Sequence, residues 1–501
     1  MRQTDARPVR KPVYVRVPIP HRPVEQRLAD FDEVALTYTD EQAVVEAQRC
    51  LQCYRPACEE GCPNHNPIKA FIRLVAEGKP VEAAELLWGH NPIPACTGRV
   101  CAWENQCEGA CPLGRKGEPI AIGALERYLA EKALAALAQQ DSRAPSLAGP
   151  WATGRDRIVP ADVAVVGAGP AGLACASELA GQGFTVTVID GWLAPGGVMS
   201  YGIPEFVLPK RAVAAEVARL ANRQGVRFVQ QVVVGRDITV DELFEMGFRA
   251  IFLGVGANEA MVMGVPGEEL EGVVTAKDFL MEVARARLEG SRFGSLAGKR
   301  VIVVGAGNTA MDAARTARRL GAATVKVVYR RAREHSPSRA VEMAMAEQEG
   351  VVFEFLVAPS RFVGEGGRLQ AVEMVRMQLG EPDSSGRPSP VPVPGSEFLE
   401  PAELAILAVG YRVETQVPRT TPGLQTGRGG RLTVLDENGR TSRPGVWAGG
   451  DCVTGANTVV HAVAAGRRAA QSIAAYLRES AGQQAPTPPR EGERPAATRD
   501  G

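Results

Sequence analysis

Short, continuous apolar runs alternate with small-residue turns and longer helical stretches over most of this chain. Residues 161–190, ADVAVVGAGPAGLACASELAGQGFTVTVID, open on the apolar run Val163–Val166. They pass through a Gly-rich turn into a small-residue helical segment and return to a second apolar run ending at Asp190. Residues 299–331, KRVIVVGAGNTAMDAARTARRLGAATVKVVYRR, repeat that order. Apolar runs of this length, bounded by turn signals, read as strands buried on both faces of a parallel sheet. VRFVQQVVVG and AIFLGVGA add strands after the first unit. VVFEFLVA, LQAVEMVRMQL and AELAILAVGY follow the second, with GEPDSSGRPSPVPVPGS as an exposed hairpin tip. Residues 444–477 close the pattern with a strand, a Gly-Gly-Asp turn and a long helix from about Thr458. The order strand–turn–helix–strand, met twice, predicts an α/β fold.

The pattern before residue 138 is different. EQAVVEAQRCLQC has helix-forming composition, with Asp40 as its expected N-cap. Ile68, Phe71, Ile72 and Val75 share one face of a further helix, Gly78-Lys79-Pro80 breaks it, and another short helix follows. Pro119 to Leu137 predicts another helix, after a loop-rich segment. The expected organisation is an extended arm over 1–39 that packs on a neighbour, a helical domain over 40–137 and a Pro/Gly/Ser linker over 138–160. Then come the two parts of one nucleotide domain at 161–290 and 441–480, a second such domain at 291–440, and a disordered tail over 481–501.

Composition narrows the function. The 501 residues suit two to four domains, and the 45% hydrophobic and 23% charged content is that of an ordinary globular chain. A formal net charge of zero gives no field for nucleic acid or a membrane surface. No apolar run is long enough to span a bilayer, and the first residues lack the apolar core of a secretory signal. A cytoplasmic, reducing setting is expected.

In that setting the cysteines carry chemistry. Eight of ten fall in two runs, Cys50, Cys53, Cys58, Cys62 and Cys96, Cys101, Cys107, Cys111, each closing on Cys-Pro. Eight thiolates can fill two cubane iron–sulfur clusters, and the first run is staggered like that of bacterial ferredoxins. Structural zinc favours paired CxxC knuckles, whereas only Cys50 and Cys53 form one here, and disulfide frameworks belong to small secreted domains. Cys175 and Cys452 stand alone and are expected to be structural.

The two α/β units carry dinucleotide fingerprints. In Gly167-x-Gly169-x-x-Gly172 the first glycine makes the tight turn, the second admits a pyrophosphate and the third lets helix and strand pack. Asp190 would take ribose hydroxyls. Gly305-x-Gly307-x-x-Ala310 repeats the motif, but Arg330, Arg331 and Arg333 stand where the first unit has its acid, which suits the 2′-phosphate of NADPH. Gly196-Gly197 and Gly410 are close-approach positions. Gly450-Asp451 and the helix start at Thr458 suit contacts to a flavin.

CLQCYRPACEEGCP, TGRVCAWENQCEGACP, GAGPAG, PGGVMSYGIPEFVLPK, GAGNTAMD, VYRR and AGGDCVTGANTVV together resemble the glutamate synthase small (β) subunit family, over residues 30–478. That family includes the large subunit of NADH-dependent ferredoxin:NADP oxidoreductase and the N-terminal portion of dihydropyrimidine dehydrogenase. The resemblance implies two Rossmann-like domains, an FAD domain split by an inserted NADPH domain, preceded by an α-helical domain holding two [4Fe-4S] clusters. Pro170 and Ala171 would join the FAD turn, and Asn308 and Thr309 the NADPH turn. One cluster would take Cys50, Cys53, Cys58 and Cys111. The other would take Cys62, Cys101 and Cys107 with Glu126, leaving Cys96 spare; read without the resemblance, Cys96 stays open as the eighth ligand. Electrons would pass from NADPH to FAD to the clusters with no side-chain acid or base required. The expected partner is a large glutamate synthase-type subunit in an oligomer. The alternatives are a small ferredoxin:NADP oxidoreductase subunit or ferredoxin as partner, and a redox sensor without turnover.

Overall fold

The computed structural model describes residues 13–140, 147, 151–383 and 386–484. The first twelve residues of the expected arm, residues 141–146 and 148–150 of the linker and the tail beyond 484 lie outside them.

Two parallel sheets form the body. The first runs Ala152–Thr153, Val226–Gln230, Val186–Ile189, Val163–Val166, Ala250–Leu253 and Val446–Ala448 in spatial order. Its four-residue strands Val163–Val166, Val186–Ile189 and Ala250–Leu253 are buried at every position, as the unbroken apolar runs require. The sixth strand pairs Val446 with Ile251, so the chain leaves this sheet after Leu253 and returns only after the second unit. The second sheet runs Val352–Phe355, Thr324–Tyr329, Arg300–Val304, Leu404–Leu407 and Val273–Thr275. An antiparallel sheet built on the hairpin Val357–Glu365 and Arg368–Pro382 packs beside it.

Sheet membership shifts the expected domain limits. Val273–Thr275 pairs with Leu404–Leu407, so the second unit starts well before 291. Val413, Val417, Leu424 and Leu432 pack in the core of the first sheet, so the second unit ends well before 440. The cause is that strand-edge residues and loops without periodicity carry no domain signal of their own. The outgoing and returning crossings pair with each other: Glu259–Ala260 runs antiparallel to Tyr411–Arg412.

The helical domain has its own core, with Ile68, Phe71, Ile72 and Val75 on the expected face and Leu125, Tyr128 and Leu129 opposite. Its first helix spans Asp40–Gln48, and Thr39, not Asp40, is the N-cap, sharing a reciprocal capping box with Gln42. That helix stops two residues short of Cys50. The segment expected to be loop-rich opens with the helix Pro94–Val100, and the last helix of the domain is Ile122–Gln140.

The arm from residue 13 to 39 lies across all three units of its own chain. Glu33 pairs with Arg99 at 2.6 Å and Arg127 at 2.7 Å in the helical domain, and with Arg211 at 3.4 Å beside the first sheet. Arg27 donates to Gln348 of the second unit at 3.0 Å. Below it, Arg315 and Arg319 share the buried Glu349 and lie over the ring of Phe206.

Candidate cofactor and cluster sites

The C-terminal ends of the first sheet's strands open into a long groove. Gly167, Gly169, Pro170, Ala171, Asp190, Gly197, Asp451 and Thr458 all line it, and from the second unit Thr309 and Tyr411 close one wall. Gly167 has a φ of +101°, and an added Cβ would lie 2.4 Å from the Gly254 carbonyl oxygen. Gly172 packs instead of lining, since its Cβ would fall 1.8 Å from the Gly167 carbonyl oxygen. At Gly169 a Cβ would meet no protein atom within 4 Å, which is the open cradle a pyrophosphate needs at a helix N-terminus. Gly196 holds the turn against Ser200 and does not line the groove; Gly450, at a φ of +78°, packs on Ala171.

Asp190 accepts hydrogen bonds from the Ala168 amide at 2.6 Å and the Trp192 amide at 2.8 Å. Burial nevertheless pushes its carboxyl up to about 6, and burial does the same to Asp451. Two desolvated acceptors facing a groove with an open glycine cradle fit the hydroxyl-rich ribityl and ribose portions of FAD.

The second fingerprint is built alike. Gly305, at a φ of +119°, sits against the Ala408 carbonyl, and a Cβ on Gly307 would meet only the Pro337 ring, at 3.8 Å. Asn308 opens the helix Asn308–Arg319, Ala310 is fully buried in it, and Gly410 precedes Tyr411 at the returning crossing. The three arginines part company. Arg331 is buried and committed to Asp383 at 2.6 Å and to the Pro388 carbonyl at 2.8 Å. Arg333 is paired with Glu347 at 2.6 Å. Arg330 is exposed, with no hydrogen-bond or ion-pair partner among the described residues. The strand end and the hairpin tip were both legible in the sequence; that the tip would claim Arg331 was not.

The cysteines sort into two groups. Cys50, Cys53, Cys58 and Cys111 line one cavity whose other walls, Lys69 apart, are apolar, including Leu51, Ile72 and Leu113. Cys62, Cys101 and Cys107 lie close enough to Glu126 for their charges to act on one another. Burial is the main force raising the Cys101 thiol well above its ordinary value; Glu126 and Cys62 add to it and Arg339 opposes it. Glu126 is buried and pushed up to about 7 by desolvation. It accepts from Asn91 at 2.9 Å and from Thr97, both on Oε1. Buried thiols with a buried carboxylate carrying its bonds on one oxygen suit ligation by iron, which would hold the thiols as thiolates. Cys96 lies elsewhere, fully buried in the core beneath the first sheet, and its thiol senses Glu216, Arg99 and Lys210 but no other cysteine. All ten cysteines are free.

The two groups sit at different depths. The Gln106 amide, next to Cys107, lies 3.5 Å from the Thr458 hydroxyl on the groove wall, and Asn64, near Cys62, accepts from Arg467 at 3.1 Å. Beside the other group Tyr54 is 93% exposed and Leu51 46%. Sequence reasoning missed Gln106, Tyr411 and Arg339, since none stands in a fingerprint position.

Residues 161–466 match the family described as pyridine nucleotide-disulphide oxidoreductase, and residues 27–137 match dihydropyrimidine dehydrogenase domain II, 4Fe-4S cluster. The glutamate synthase [NADPH] small chain of Halomonas elongata is 38% identical over 91% of this chain and 95% of its own length. The chain belongs to the glutamate synthase small-chain family. As a member of the glutamate synthase small-chain family it is an oxidoreductase that uses FAD and NADPH and carries a [4Fe-4S] domain. The NADPH-Fe(3+) oxidoreductase subunit beta of Geobacter sulfurreducens is 34% identical over 91% of this chain and 69% of its own. Among solved structures, Mycobacterium tuberculosis FprA in complex with NADPH superposes with a TM-score of 0.55 over 66% of this chain and 87% of its own, at 22% identity, which bears on the fold. No helix among the described residues is long and apolar enough to cross a membrane.

Proposed function

We propose that this chain takes electrons from NADPH and delivers them through two clusters to a partner subunit that performs the chemistry. The observation that carries the reading is the Gln106–Thr458 contact, which sets the Cys62, Cys101, Cys107 and Glu126 group against the flavin groove. The Cys50, Cys53, Cys58 and Cys111 group then lies on the outer side, beside the exposed Tyr54. When bound, the flavin supplies the conversion from two-electron to one-electron chemistry. The chain's own part is placement. Gly169 admits the pyrophosphate, Asp190 and Asp451 meet hydroxyls, and Thr309 and Tyr411 bring the nucleotide domain to the flavin wall. Arg330 is the arginine left to meet a 2′-phosphate. No side chain is needed as an acid or base.

The partner is a large glutamate synthase-type subunit, and ten free cysteines suit a reducing cytoplasm. A second reading keeps the electron path and changes the acceptor to a small ferredoxin:NADP oxidoreductase subunit or ferredoxin. It is favoured by the relative that works as a subunit of an NADPH-Fe(3+) oxidoreductase. The test is anaerobic mixing of cluster-reconstituted protein with NADPH while flavin absorbance is followed, then addition of oxidised ferredoxin or of the co-purified large chain with glutamine and 2-oxoglutarate. Turnover with the large chain alone supports the first reading and ferredoxin reoxidation the second. Flavin that does not bleach overturns both.

A further inference from the structure

Arg339 reaches from one cofactor turn to the other. Its backbone amide donates to the Asn308 side-chain oxygen at 2.9 Å, on the Gly305–Ala310 turn. The segment leading to it is tied to the same turn, because Ser336 Oγ donates to the Ala306 carbonyl at 2.7 Å. Its guanidinium points the other way, into the helical domain. There it grips Glu104 with two bonds, Nε to Oε1 at 2.9 Å and Nη2 to Oε2 at 3.2 Å, and its Cζ lies 4.4 Å from the Trp103 ring centroid. The Arg339 side chain is 7% exposed and Glu104 37%, so the grip is shielded on the arginine side, and its two-bond geometry and the Trp103 ring set it apart from a single surface contact.

Trp103 and Glu104 lie between Cys101 and Cys107. The Trp103 carbonyl accepts the amides of Gln106, Glu108 and Gly109, so this one residue sets the shape of the loop that carries both thiols. Its indole packs on Gly123 so tightly that a Cβ there would lie 2.1 Å from the ring. The loop is therefore stiff, and what moves Arg339 acts on the cysteines rather than being absorbed between them.

We infer that Arg339 is a positioning residue that couples occupancy of the NADP(H) turn to the reduction potential of the cluster held by Cys62, Cys101, Cys107 and Glu126. A fixed cation beside a cluster favours its reduced, more negative form. The nucleotide pyrophosphate brings negative charge to the turn that anchors Arg339, and so weakens that cation's hold on the loop. Coupling of this kind is reciprocal: reduction of the cluster weakens NADP+ by the same factor. Product release is thereby favoured while the cluster holds the electron.

The inference rests on the two-cluster reading, and the test separates the two. The midpoint potential of the inner cluster is measured by redox titration followed by electron paramagnetic resonance, with and without saturating NADP+, in the native holoprotein and in Arg339→Gln, Arg339→Lys and Glu104→Gln. In the native chain NADP+ is expected to lower the potential by about 28 mV, the equivalent of an about threefold change in affinity at 59 mV per tenfold. Arg339→Gln and Glu104→Gln lose this shift and Arg339→Lys restores part of it. Glu104→Gln carries the test if Arg339→Gln fails to hold its cluster. A native potential indifferent to NADP+, or a shift that survives in the variants, overturns the inference alone. The absence of a second cluster signal from the native protein overturns the reading beneath it.

Discussion

Gln106 and Thr458 stand 352 positions apart in sequence, yet the amide of one lies 3.5 Å from the hydroxyl of the other. Through this pair the loop holding Cys107 touches the wall of the flavin groove. On the proposed reading, electron entry and electron exit fall to different cysteine groups. Cys107→Ser is expected to leave NADPH bleaching of the flavin intact while cutting transfer to any protein acceptor by at least about tenfold, because the inner carrier is missing. Stopped-flow absorbance for the first step and acceptor reduction for the second make the comparison. Loss of both steps together would contradict the assignment.

Arg330, without a partner among the described residues, and the committed Arg331 should respond differently to truncation. Arg330→Ala removes a charge-assisted contact to a 2′-phosphate and should weaken NADPH by about 10- to 100-fold with NADH little changed. Arg331→Ala removes the buried tie from the strand to the hairpin, so it should lower the melting temperature and affect both nucleotides alike. KM values for the two nucleotides, with a thermal melt of each variant, separate these outcomes.

Two glycines of one fingerprint should also part. Gly169 has a φ of −77° and room for a methyl group, so Gly169→Ala folds but obstructs the pyrophosphate and emerges with little bound FAD. Gly172→Ala cannot fit against the Gly167 carbonyl and should unfold or yield no soluble protein. Flavin content per chain and apoprotein circular dichroism are the measurements.

Glu349, 1% exposed, lies between Arg315 and Arg319 under the arm. Burial alone would raise its carboxyl, but the hydrogen bonds and charges of Arg319 and Arg315 outweigh that and hold it below the ordinary glutamate value. A carboxylate depressed in the folded state contributes stability above its unfolded value near 4.5, and this is lost as pH falls through the folded value. Glu349→Gln takes the carboxylate from the buried Arg319 and leaves Arg315 with Glu342 alone, and should cost about 3–5 kcal/mol. Melts of native and variant protein between neutral and acidic pH should converge at the acid end.

The buried strands and the glycine turns were legible because each has a local cause: both-face burial makes unbroken apolar runs, and a pyrophosphate cradle admits no Cβ. The split of the first sheet needed the return of Val446–Ala448, which no local period announces. Cys96 shows the limit most clearly. Spacing places it in the second run beside Cys101, but the helix Pro94–Val100 turns it into the core under the first sheet. Arg331 shows the same limit from the other side, since a distant hairpin decided what a well-placed arginine binds.

The late return of the sixth strand also has a consequence on the ribosome. The first sheet stops at Leu253 and waits for Val446, so Asp451 and Thr458 reach the flavin groove only after the inserted unit has been made. At ordinary synthesis rates the roughly 190 intervening residues take about 10–40 s. Throughout that interval the strand edge at Ala250–Leu253 stays open, and the inserted unit can fold first. Completion of the groove is therefore a late event in the life of each nascent chain, set by the order of segments along the sequence.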